Sequence, residues 1–183
     1  MSEKSAGRKG WVDPLTRPVV AATIPASGVD ITVTPADAER AALARALDLA
    51  AVDAISGAFR LSRRAGGEVR LRGRLTGTVR PRCVVTLEAF PLAVDEDVEM
   101  TFVDPPRVDR KTGETDEIDL SGGEDPPDII ENGVIDLGHV VTEFLSLAIP
   151  PFPRKPGVAM EEAAEPETES PFAALGRLNP PKT

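Results

Sequence analysis

From Val52 to Val103 the chain alternates apolar and polar residues over successive short stretches, and this period of two constrains the fold more than any other feature. Ile55, Phe59 and Leu61 lead into Ala65-Gly66-Gly67, a hairpin turn, after which Val69, Leu71, Leu75 and Val79 alternate with arginine and threonine. Cys83, Val85 and Leu87 continue the pattern, followed by Val94, Val98, Met100 and Phe102. Successive strand side chains point to opposite faces, so the spacing predicts an antiparallel meander with one buried and one wet face. Pro81 and Pro91 should break strands or lie at edges, because proline has no N–H to give a central ladder.

Helical patterns flank the meander. Thr34-Pro35-Ala36-Asp37 has the chemistry of a helix start, with Thr34 accepting from the N3 amide and Pro35 at N1, and predicts a helix from Pro35 to Leu49 with Leu43 and Leu47 inward. Asp136 caps a second predicted helix, Leu137 to Ile149, whose apolar stripe is Leu137, Val140, Val141, Phe144, Leu145 and Ala148. Pro150-Pro151 ends it. Arg17 to Ile24 and Val29 to Val33 read as strands, and Glu131-Asn132-Gly133 reads as a tight hairpin-like turn between Ile129-Ile130 and Val134-Ile135. The expected fold class is α+β: a curved or barrel-like antiparallel sheet with two main helices and a disordered acidic loop and tail.

A length of 183 residues suits one ordinary domain, and with aromatics at 4% its core must be built from Val, Leu, Ile and Ala. That domain is expected over 14–157, after a polar, disordered N-terminus (1–13). An acidic insertion, 104–127, holds eight acids and three bases and has only Ile118 and Leu120 with which to pair briefly. The tail, 158–183, opens with five glutamates and closes with Phe172, Leu175 and Leu178 at helical spacing, a pattern suited either to a docking helix or to a packed terminal helix. No apolar run approaches the ~20 residues of a membrane span, and the start does not resemble a secretory signal, so a cytoplasmic protein without a membrane partner is expected.

The net charge of -9 opposes a simple nucleic-acid partner, and none is expected with DNA. Yet Arg60, Arg63, Arg64, Arg70, Arg72, Arg74, Arg80 and Arg82 fall in a stretch whose only acid is Glu68. Arg70, Arg72, Arg74, Arg80 and Arg82 share one parity, opposite to Val69, Leu71, Leu75 and Val79, and form an outward stripe if the strand is unbroken. Such guanidinium forks suit phosphate. Asp95, Asp97 and Glu99 share the outward parity of the next strand, so the same arginines equally suit a solvated face of cross-strand ion pairs.

No catalytic site, cofactor or metal is expected. The single cysteine, Cys83, excludes an internal disulfide and a multi-cysteine zinc site, and its apolar parity makes it a buried structural residue. The single histidine, His139, reads as a helix surface residue, and no glycine-rich phosphate loop follows a strand. Glu143 lies at the boundary of the second helix's apolar face, as an ordinary flank residue, a satisfied buried acid or a partner contact.

Two blocks carry a family resemblance. Cys83-Val84-Val85-Thr86-Leu87-Glu88 resembles the alphaproteobacterial form of the YceD pattern. Glu131-Asn132-Gly133-Val134-Ile135-Asp136-Leu137-Gly138, the helix with Glu143, and Pro153-Arg154-Lys155-Pro156-Gly157 are similar to its second block. Pro171-Phe172-Ala173-Ala174-Leu175 resembles its C-terminal signature. Many relatives have Cys-x-x-Cys in the first block, where this chain has Thr86 in the second position. The resemblance marks Cys83, Thr86, Leu87, Asp136, Leu137 and Glu143 as pattern residues. It implies a bacterial, non-enzymatic factor needed for accumulation of 23S, the large-subunit, rRNA.

Two modes of action follow. In the first, the protein touches large-subunit rRNA or the pre-ribosome through the arginine stripe. In the second, its acidic segments make it an adaptor for a basic ribosomal protein or an RNA-processing enzyme.

Overall fold

The computed structural model describes residues 13–105 and 127–158. In chain order these form β1 (Pro18–Val20), a 3-10 turn (Ala21–Thr23), β2 (Val29–Val33), α1 (Asp37–Ala46), β3 (Ala51–Arg63), β4 (Val69–Arg80), β5 (Leu92–Val103), β6 (Asp128–Ile129), β7 (Val134–Asp136) and α2 (Leu137–Ala148). One sheet has the order β2-β3-β4-β5-β6, and β1 and β7 form a separate ribbon. Strands β2 to β5 are antiparallel, while β6 joins β5 in parallel through Phe102–Asp128 and Val103–Ile129. The class is α+β, and the sheet is open rather than closed into a barrel.

The predicted meander is present, and its inner parity builds the core. Leu61, Val69, Leu71, Leu75 and Val79 are fully buried, joined by Ile55, Phe59, Val94, Val98 and Phe102 in one apolar cluster with Leu43 of α1 and Leu137, Val140, Val141 and Leu145 of α2. Burying each such side chain contributes about 1.5–3 kcal/mol, so this face is the main source of stability. Gly73 breaks the apolar run of β4 for a steric reason. Its register partner is Phe59, and a Cβ at Gly73 would run into the Phe59 ring and the Ala58 carbonyl. The ring fills the space that a side chain would otherwise take.

Pro81 and Pro91 fall where β4 has ended and β5 has not begun, as their missing N–H groups require. The expected alternation through Cys83, Val85 and Leu87 is corrected: this stretch is a turn between the strands, with Leu87 at φ 60. The first helix also differs. It begins at Asp37 rather than Pro35, with Ala36 as its N-cap, and Glu39 reaches back to accept from the Ala36 N–H at 2.8 Å. Thr34, expected to cap, instead meets the Ser56 hydroxyl at 3.3 Å. Asn132 and Gly133 do adopt the positive φ values of a tight turn, 53 and 73. The arms of that turn diverge, however, β6 joining β5 and β7 joining β1.

The start of α2 follows the sequence closely. Asp136 Oδ1 accepts from the N–H groups of Gly138 at 2.8 Å and His139 at 3.4 Å, neutralising donors that a helix start leaves open. The same oxygen accepts from Arg17 N–H at 2.7 Å, and Leu137 N–H donates to the Arg17 carbonyl at 3.0 Å. Gly138 lets the N-terminal segment approach, since a Cβ there would strike the Leu15 carbonyl. The Asp-Leu-Gly triplet therefore fastens the N-terminal segment to the helix.

Candidate interaction surfaces

The outer face of the sheet carries Arg60 of β3 and the four arginines of β4, because odd positions of β4 are committed to the core, while Arg63, at the end of β3, donates instead to the Ala21 carbonyl at 2.5 Å. Each of the five outer arginines meets a carboxylate. Arg70 and Arg72 both bind Glu99, the latter at 3.0 Å, and Arg74 binds Asp95 at 2.5 Å with Asp97 at 3.5 Å. Arg80 binds Asp53 and Arg60 binds Asp30, both at 2.7 Å. The register explains these choices: Arg72 lies opposite Glu99 and Arg74 opposite Asp97, while Arg72 also lies opposite Arg60, whose charge is turned toward Asp30 on β2. Arg74 holds Asp95 below the usual carboxylate range through its hydrogen bond, and Arg70 and then Arg72 do the same to Glu99. These five arginines are matched by five acids, and the face is locally neutral.

Arg82 does not belong to this stripe. The strand ends at Arg80, and Arg82 stands exposed in the following turn, bridged through its backbone to Ala89, with no ionic partner among the described residues. Proline at 81 cannot extend the ladder, so the parity that aligned Arg82 with the stripe lapses there.

The second surface is a clasp between two stretches far apart in sequence. Within the first, Cys83 N–H donates to the Glu88 carbonyl at 2.9 Å and Leu87 N–H to the Cys83 carbonyl at 2.8 Å. From the chain beyond α2, the Pro153 carbonyl accepts from Val84 N–H at 3.0 Å, and Lys155 N–H donates to Cys83 Sγ at 3.4 Å. Lys155 Nζ closes the ring on Glu88 at 2.9 Å. Cys83 is fully buried, as expected. The N–H groups of Lys155 first and then Thr86 lower its thiol to about 6, against the opposing effect of burial.

The remaining pattern residues divide between structure and surface. Asp136 and Leu137 are committed to the helix start. Thr86 is exposed, its hydroxyl accepting from Glu88 N–H at 3.4 Å. Leu87 is 72% exposed and Glu143 lies on the outer side of α2, one turn before Leu147, which is 73% exposed. His139 meets Asp13 at 3.2 Å on the surface. Sequence reasoning missed the clasp as a unit and the exposed Leu147 and Phe152. The available signal was Pro150-Pro151, which turns the chain back after α2 toward whatever lies beside it.

This geometry defines a small α+β module with two surfaces, one charged and self-neutralised, the other a backbone-bonded clasp with apolar side chains at its margin. The family described as Large ribosomal RNA subunit accumulation protein YceD matches residues 71–179, and the chain belongs to that family. No curated protein and no solved structure matches the chain. The match begins in β4 and takes in both halves of the clasp, so the two blocks of the family pattern meet in space. Its end lies beyond Val158, and Pro171 to Leu175, like most of the acidic insertion and tail, is outside the described residues. Among the described residues no group of three metal-ligating side chains occurs, and no helix is long and apolar enough to cross a membrane.

Proposed function

We propose that this chain is a non-catalytic factor of the bacterial cytoplasm that supports accumulation and processing of 23S rRNA during biogenesis of the large ribosomal subunit. Within that role it acts as an adaptor, binding a basic ribosomal protein or an RNA-processing enzyme. Family membership supports the process; the self-neutralised arginine face supports the adaptor mode. Affinity for a polyanion comes from releasing its counterions to unpaired cations, and a face whose guanidiniums already hold carboxylates has little to exchange. The whole chain, at -9, favours basic partners.

The second mode, direct contact with large-subunit rRNA through Arg70, Arg72, Arg74 and Arg80, has one observation in its favour. The Arg72 and Arg74 side chains are 58% and 57% exposed, within reach of an arriving phosphate. Binding of the purified protein to rRNA fragments and, separately, to basic large-subunit ribosomal proteins distinguishes the modes. The adaptor captures a ribosomal protein in a salt-sensitive way and keeps doing so when Arg70, Arg72 and Arg74 are reversed to Glu. RNA binding that is steep in salt and lost on that reversal overturns the adaptor in favour of direct contact.

A further inference from the structure

Where α1, β4 and α2 all end, their termini surround an open groove of about 360 Å³. Leu47, Leu49, Val84, Ile149 and the prolines Pro81 and Pro153 line it, with Asp48 and Arg82 beside them. Val84 is 45% exposed, and Leu147 and Phe152, neighbours of lining residues in the sequence, are 73% and 74% exposed. An exposed Val84 on a half-buried apolar wall, with two more exposed apolar side chains adjacent in sequence, marks a surface suited to being covered. Arg45 in the last turn of α1, Arg82 and Arg154 are exposed and without an ionic partner among the described residues, against the single acid Asp48. The occupant should therefore be apolar and acidic.

We infer that this groove seats the C-terminal segment of the same chain, 160–178, with Phe172, Leu175 and Leu178 against the apolar walls and the glutamates from Glu161 to Glu169 toward the arginines. Chemistry and order along the chain both fit. The described chain stops at Val158, five residues past the groove-lining Pro153, and its N–H donates to the Lys155 carbonyl at 3.2 Å. Five glutamates come next and the apolar residues, spaced by three, follow them. A stretch of about a dozen residues has a root-mean-square span of roughly 20 Å, enough to return to a groove whose wall it has just left. The tether sets an effective concentration of the order of millimolar, so a contact too weak to persist between separate molecules is populated within one. The family match, residues 71–179, takes in the groove wall from Pro81 to Pro153 and this segment, though not Leu47 and Leu49.

The test compares amide NMR spectra of the full-length protein and of full-length Phe172→Asp/Leu175→Asp, a variant whose changes leave every residue of the sheet and helices as it is. The expected result is displaced signals at Leu47, Leu49, Val84 and Ile149, unchanged over a roughly tenfold dilution because the contact is intramolecular. Full-length Arg82→Glu/Arg154→Glu should reciprocally displace signals of Glu161 to Leu178. Changes confined to the neighbours of the substituted residues overturn the inference. Groove displacements that fade on dilution, together with a doubled mass in the unsubstituted protein, also overturn it and assign the groove to the segment of a second copy.

Discussion

The outer face of the sheet and the joins around the Cys83 turn and the start of α2 hold their polar groups in opposite ways. On the face, every guanidinium meets a carboxylate at the end of another exposed side chain, so both partners move and water competes for each. At the joins, backbone N–H groups make the bonds, and the segments joined lie 72 residues apart for Lys155 and Cys83 and 119 apart for Arg17 and Asp136. Breaking a join frees a long loop and strands part-buried donors, whereas breaking a surface pair returns two charges to water. The polar contribution to stability should therefore be concentrated in the few polar residues of the family pattern, while the many charges of the sheet remain free to be changed for recognition.

The hardest blow to that contrast comes from steric intrusion at a join. Gly138→Val places a side chain where the Leu15 carbonyl now lies, and a loss of about 3 kcal/mol in urea unfolding is expected. A loss below about 1 kcal/mol would mean that the N-terminal segment only rests on α2 and is no part of the cooperative core. Asp136→Ala should come next, at about 2 kcal/mol, because one carboxylate oxygen serves two helix N–H groups and that of Arg17. Asp136→Asn, which keeps an acceptor, should lose less than half as much.

Near neutral pH, where only part of its shift is realised, the Cys83 turn gives a smaller effect with a distinctive pH dependence. Its thiol is lowered from 9.0 to about 6 by backbone donors, so the unfolded chain binds the extra proton over that interval. The resulting stabilisation is complete above pH 9.0 and is lost as pH falls through about 6. Thiolate absorbance of the folded protein should titrate near 6, and Cys83→Ala should flatten the stability profile across this window. A titration near the about 8.5 of a free cysteine would remove the clasp from the comparison and leave only the helix start.

How much of this was legible in the sequence depended on whether the determining contacts were periodic. Residues of β3, β4 and β5 declare their faces by alternation, and the opposed parities of Arg72 and Glu99 with the core anticipated the ion pairs. Asp136 was legible because capping is local. The Cys83 turn was not, since its form depends on N–H and carbonyl groups of Pro153 and Lys155 that no pattern around residue 83 announces. Arg82 was misassigned for the same reason: one proline ended the strand, and parity beyond it carried no information. Thr34 lost its capping role to Glu39, whose carboxylate is lowered to about 2 by a two-pronged hydrogen bond from Arg17 and by the Ala36 N–H.

The smallest effect is expected on the face itself. In a double-substitution cycle of Arg74→Gln and Asp95→Asn, each single change and the pair should leave the urea midpoint nearly unmoved, despite bonds as short as 2.5 and 2.8 Å. Both side chains are more than half exposed, so their attraction competes with hydration and with the entropy of fixing two long side chains. Any residual coupling should vanish in about 1 M salt, where screening acts within ~3 Å. A coupling that survives such salt would show that the arginine and acidic stripes act as one rigid network, and the distinction between face and joins would then lie in sequence distance alone.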